Sequence, residues 1–206
     1  MANTDTPFGL RPVKHRNGAP YNAAVNAYYI PASYGTAMFI GDAVVITGTS
    51  NTAEVAAPGA GKFPAGTLPE INRATVGDGN AISGVVVGFA ANPSNLEQVH
   101  NPASTERVAY VADDPDTEFE IQADGTLAAT QVGLNAVLID THAGSTVTGL
   151  SGTELDTTSD VPAADASNQL TIQRIKNVTD NELASANAIA VVKINNHTAA
   201  HGVIGI

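Results

Sequence analysis

Apolar residues recur along this chain in short runs separated by polar and turn-forming residues. The runs are VNAYYI (25–30), AMFIGDAVVIT (37–47), ISGVVVGFAA (82–91), ERVAYVA (106–112), TEFEIQA (117–123), GLNAVLID (133–140), NQLTIQRI (168–175) and NAIAVVKIN (187–195). Their lengths suit strands, and none sustains a helical period. TEFEIQA alternates, with Phe119 and Ile121 set against Glu118, Glu120 and Gln122. NQLTIQRI alternates as well, which puts Leu170, Ile172 and Arg174 on one face and Thr171, Gln173 and Ile175 on the other. ISGVVVGFAA is apolar throughout and reads as a strand buried on both faces. The pattern predicts an all-β fold, a β-barrel or sandwich body.

What lies between the runs sets the organisation. Residues 1–20 hold Pro7, Gly9, Pro12, Gly18 and Pro20 among isolated apolar side chains, which reads as an extended N-terminal arm. Its Phe8, Leu10 and Val13 need a surface to dock on, in this subunit or a neighbour. Residues 21–206 then form a single β-rich domain. Two stretches, about 48–81 and 141–168, are rich in Gly, Ala, Ser, Thr and Asp and read as long loops, the first with room for a short element around LPEINRATV. Gly41-Asp42 marks a turn or bulge before AVVIT, and DNELASAN is a loop or a single helical turn.

Charge and composition narrow the function. The net charge is -11, so phosphate is repelled and nucleic acid is not an expected partner. Yet Arg11, Lys14 and Arg16, three of only nine basic residues, sit together in the arm. The arm is therefore expected to seek a different partner from the body. Cysteine is absent, which removes disulfides, thiolate metal sites and a cysteine nucleophile. No apolar run is long enough for a membrane helix, and MANTDTPFG lacks the pattern of a signal peptide.

The strongest candidate for chemistry is YVADDPDTEFEIQADG (110–125), where Asp113, Asp114, Asp116, Glu118 and Glu120 crowd together. Asp114-Pro115-Asp116 is turn chemistry, and the alternation that follows puts the glutamates toward water. The calcium-loop pattern of alternating acidic ligands followed by Gly is missing. We expect a hairpin with an apolar inner face and an acidic wet one. His197 and His201 have zinc-helix spacing, but Thr198 stands where a zincin has Glu. Gly61-Lys62 lacks the rest of a phosphate loop, GDGNAISG is not a dinucleotide fingerprint, and no G-x-S-x-G elbow occurs. The expectation is a protein without catalytic residues, cofactor or metal.

Five stretches, PFGLRPVKHRNGAPYN, FIGDAVVI, SGVVVGF, YVADDPDTEFEIQ and VVKINNH, together resemble a family of tailed-bacteriophage virion structural proteins of similar length, usually encoded near the major capsid protein. The order "GD-V-V", small-residue loop, "G-VVVGF" is also similar to lambda-like head decoration proteins, β-rich trimers that sit on local threefold axes and bind through an extended N-terminal arm. The resemblance implies a capsid decoration, or cement, protein on the outer surface of the virion head, made in the host cytoplasm. Its partner would be the major capsid protein, with self-association as a trimer or a dimer. The contact residues would be Pro7, Phe8, Leu10, Arg11, Val13, Lys14 and Arg16, on an arm whose removal leaves the body folded. The alternatives are a tail, neck or fibre component, a small metal-dependent hydrolase, or a glycan-binding β module, the last disfavoured by the absence of Trp.

Overall fold

The computed structural model describes residues 3–183 and 185–200. In chain order the strands are β1 (Arg11–His15), β2 (Asn26–Ile30), β3 (Ala43–Ser50), β4 (Val55–Ala57), β5 (Gly61–Phe63), β6 (Pro69–Arg73) and β7 (Gly84–Phe89). They continue as β8 (Arg107–Ala112), β9 (Thr117–Gln122), β10 (Asn135–Ala136), β11 (Leu138–Ile139), β12 (Glu154–Leu155), β13 (Leu170–Ile175) and β14 (Ile189–Ile194). One short 3-10 turn covers Ala129–Gln131. The protein is all-β, as its apolar pattern predicts.

Strands β2-β6-β3-β7-β8 close a barrel, and β1-β9-β14-β13-β10 form a five-stranded antiparallel sheet. Period-two alternation explains how the two pack. Inside the barrel, Val86 of β7 meets Val44, Ile71, Ala109 and Val111. Val85 and Val87, facing the other way, join the larger core with Phe119 and Ile121 of β9 and Val192 of β14. The sheet thus stacks on the barrel as in a sandwich, and β7 is buried on both faces, as its continuous apolar run predicts. The β4–β5 hairpin covers a third cluster outside the barrel, around Leu68 and Val108.

Four expectations need correction. First, β8 and β9 do not form a hairpin: β8 pairs with β2 and β7, β9 with β1 and β14, so residues 113–116 carry the chain from barrel to sheet. Second, the glutamates of β9 are buried, not wet. Third, a bulge between Ile172 and Arg174 inserts one residue opposite β14. An inserted residue reverses the alternation beyond it. Ile175 therefore returns to the core and Arg174 swings to the face of Glu118, opposite to the strict alternation. Fourth, the arm is not separate from the body. Residues 11–15 are the edge strand β1, paired with β9, and Leu10 is buried in the main core. Removing residues 1–16 would strip a strand from the sheet. The two expected loops also carry structure, with β4, β5 and β6 in the first and β12 in the second.

The arm is seated where two glycines meet. Leu10 N–H donates to the Gly41 carbonyl at 2.9 Å, and Gly41 N–H donates to Val86 at 2.8 Å. Gly9 and Gly41 have φ of +70° and +95°. A Cβ on Gly41 would lie 2.6 Å from the Phe8 carbonyl oxygen, and one on Gly9 equally close to that of Gly41. Both the positive φ and the backbone approach demand glycine. Gly41→Ala is expected to cost at least about 2 kcal/mol, strain and clash together. That is a fall in Tm of roughly 4–8 °C for a domain of this size. Gly18→Ala is the control: φ there is +90° with nothing within 4 Å of the new Cβ, so it carries the strain without the clash and should fall less.

Candidate interaction surface: the N-terminal segment and its seat

One side chain, that of Gln122, bonds the segment before β1 at two points. Gln122, at the end of β9, accepts from Thr6 N–H at 2.9 Å through Oε1 and donates to the Thr4 carbonyl at 2.8 Å through Nε2. Asn3 reaches the Glu182 carbonyl at 3.0 Å. Phe8 is half-buried and stacks under the Arg11 guanidinium at 4.7 Å, a cation–π contact. Beside it, Phe8, Pro12, Ile40 and Leu150 line an apolar cleft of about 210 Å³.

The face of β9 that turns away from the core carries Glu118 and Glu120, with side chains only 6% and 12% exposed. Each is met by two cations. Glu120 Oε2 accepts from Arg11 at 2.5 Å and from Lys176 at 3.0 Å. Glu118 Oε2 accepts from Arg174 at 2.6 Å and lies 3.5 Å from Lys14 Nζ. The cations lie outside the carboxylates, with Arg11 55% and Arg174 42% exposed. Their charged heads cover the carboxylates while part of each side chain stays open to solvent. Lys193 stands opposite Glu118 on β14, so five of the nine basic residues share this face.

A bulge in β1 makes this possible. Pro12 pairs with Phe119 but Lys14 with Glu118, so Val13 is the inserted residue. Without it Arg11 and Lys14 would point to opposite faces. Pro12 has no N–H to offer, which suits an edge strand.

The acidic turn behaves as its sequence reads. Thr117 N–H donates to the Asp114 carbonyl at 3.0 Å, and Asp116 N–H to Asp114 Oδ1 at 2.9 Å. Asp114 also lies 3.0 Å from His15 Nδ1. Asp113 accepts from Tyr28 Oη at 2.7 Å and from Asn26, so this carboxylate ties the turn to the barrel. His197 is buried, and burial lowers its pKa against the pull of Asp113. His201 lies outside the described residues.

The arm residues singled out in the sequence therefore divide. Leu10 is committed to the protein's own core, which corrects its role as an outward anchor. Pro7, Phe8 and Val13 are half-buried. Arg11 and Lys14 meet the glutamates with their charged heads yet stay partly exposed, and Arg16 is exposed. Sequence reasoning missed Arg174, Lys176 and Lys193 as part of this surface. The only trace was that cations cluster at both ends of the chain. It also missed Asp5, His142 and Glu154, where the N-terminal segment meets the β11–β12 loop; they are the one group of His and carboxylates among the described residues close enough together to hold a metal ion. Comparison with known proteins adds no relative: no family model, no curated protein and no solved structure matches the chain.

The charge layer makes stability depend on pH. Burial opposes ionisation of Glu120, but the hydrogen bonds and charges of Arg11 and Lys176 outweigh it and hold the carboxyl below its ordinary value of 4.5. Its contribution is present above that value and is lost as pH falls from there through the depressed folded pKa. Glu120→Gln, which leaves two cations facing each other, is expected to cost about 1–3 kcal/mol near neutral pH. Denaturant unfolding followed from neutral to acid pH should show a smaller loss of stability below that value in the variant than in the wild type.

Proposed function

We propose that this chain is a non-enzymatic decoration protein of a tailed-phage capsid, which binds the outer surface of the head and braces the lattice of the major capsid protein. The observation that carries the reading is where the stretches behind the resemblance lie. PFGLRP sits on FIGD through Leu10 and Gly41, FIGD on SGVVVGF through Gly41 and Val86, and the arm's cations on the glutamates of DPDTEFEIQ. VVKINNH pairs with that same strand and reaches back to Ile82. The five stretches thus pack against one another.

The surface suits attachment to a protein lattice. Arg11, Lys14, Arg174, Lys176 and Lys193 give a strongly acidic protein one cation-rich face, and exposed Arg16 follows directly after β1. Charge of this kind fixes orientation and raises the rate of encounter with an acidic partner. Repetition over a lattice turns modest contacts into firm attachment. The acidic remainder, facing solvent, keeps particles apart.

The test is location. Full-length protein added to empty heads of the phage that encodes it should appear by cryo-microscopy as repeated density on the outer head surface. Arg16→Glu, which touches none of the ion pairs described above, should weaken that binding at least tenfold with Tm unchanged. Density at the tail or neck, or failure of the wild-type protein to associate with particles, overturns the reading.

A further inference from the structure

Glu154 is the one carboxylate whose burial the fold leaves half answered. Its side chain is 1% exposed. Oε2 accepts from Thr141 Oγ1 at 2.6 Å and lies 2.9 Å from His142 Nδ1. Oε1 is buried with no hydrogen-bond partner among the described residues. Glu118 and Glu120 each hold two cations and Asp42 holds Arg73, but no Lys or Arg among the described residues is within ion-pair distance of Glu154. A buried carboxylate with an orphaned oxygen and only a hydroxyl and an imidazole on the other is costly.

The imidazole has a second carboxylate on its far side. His142 Nε2 lies 3.6 Å from Asp5 Oδ2. One donor atom from each of Asp5, His142 and Glu154 lies within 4.8 Å of the other two. One imidazole nitrogen with two carboxylate oxygens is a donor set that zinc accepts, with further positions left to water. With neutral imidazole the trio carries two negative charges, which a divalent cation cancels.

The three donors are also held in place. Glu154 is on β12, paired with Ile139 of β11. Gly152 lets the chain fold back on His142: a Cβ there would lie 2.3 Å from the His142 carbonyl oxygen. Asp5 sits between Thr4 and Thr6, both bonded to Gln122. We infer that Asp5, His142 and Glu154 form a binding site for a divalent transition-metal ion of the zinc class, which clasps the N-terminal segment to the loop between β11 and β12. Ligand bonds of about 2.0–2.2 Å require the donors to draw closer. Asp5, whose backbone neighbours are held by Gln122 but whose side chain is exposed, has the room to turn toward the ion.

The inference does not depend on the capsid reading. It is tested on the full chain, free of any histidine tag, by calorimetric titration with Zn²⁺ at neutral pH. The wild type should take up one ion per chain, and Asp5→Asn, His142→Ala and Glu154→Gln should each weaken uptake at least tenfold. Zn²⁺ should raise the Tm of the wild type and protect residues 3–8 from proteolysis, and do neither in Asp5→Asn. Because Asp5 is exposed, that variant decides the matter even if Glu154→Gln fails to fold. No uptake by the wild type, as when His142 only bridges the carboxylates as an imidazolium, overturns the site. So does uptake that His142→Ala and Asp5→Asn leave unchanged.

Discussion

Two carboxylates lie on β9, an interior strand of the sheet, and much of the chain's course follows from having to meet their charge. Glu118 and Glu120 are under the surface of β9, where an uncompensated anion would cost several kcal/mol. The compensation comes from both flanks: Arg11 and Lys14 from β1, Arg174 and Lys176 from β13 and just beyond it. Each flanking strand carries a bulge, at Val13 and at Gln173, and in each the inserted residue delivers a cation to the correct face. The bulges are therefore part of the electrostatic solution. The arrangement also fixes register, since a one-residue slip of β1 would send Arg11 and Lys14 to the wrong side.

The second constraint is backbone proximity. Gly9 and Gly41 touch with no side chain between them, which draws the arm against the turn before β3 and carries Leu10 into the core. Just behind that turn Asp42 is fully buried, facing Arg73 at 3.1 Å and accepting from Ser151 at 2.6 Å. Arg73 in turn holds Asp140 at 2.6 Å, and Thr153 donates to the same oxygen at 2.7 Å. This polar knot ties the barrel to the loop between β11 and β12, so the seat of the arm and the loop carrying His142 rest on one foundation. Burial raises the Asp42 carboxyl while Arg73, Ser151 and the Phe39 N–H pull it down. A network of this kind is stable only when every member is satisfied.

What was legible in the sequence followed from periodicity. The strands, their all-β assembly, the doubly buried GVVVGF and the Asp-Pro-Asp turn are local patterns, and local physics decides them. Partner choice was not legible. ERVAYVA and TEFEIQA are neighbours along the chain and read as a hairpin, yet each pairs elsewhere because the four-residue link hands the chain from one layer to the other. Alternation placed Glu118 and Glu120 correctly on the face away from the core but could not reveal the roof of distant cations above them. Arg174 was misplaced because an inserted residue is invisible to a strict period. The PFGLRPVKHR stretch was singled out for its apolar and basic residues as a contact for a neighbour, and the partner the structure shows for it is its own sheet.

That last point changes what kind of contact the arm can make. A disordered arm would lose conformational entropy on binding. Here residues 11–15 are already a strand, so the cations it carries are preorganised and any partner of this side would meet an ordered surface. The outer edge of β1 does not invite an added strand either. It carries Pro12 and a bulge, and the chain turns back on it at once, with His15 N–H bonded to Ala19 and Tyr21 N–H to Val13. These are the devices by which edge strands resist pairing with other chains. Association through this side must therefore run through side chains, the heads of Arg11, Lys14, Arg16 and Arg174, and not through main-chain pairing. Arg11, Lys14 and Arg174 are fixed over the buried glutamates by their ion pairs, while Arg16, just beyond β1, is exposed.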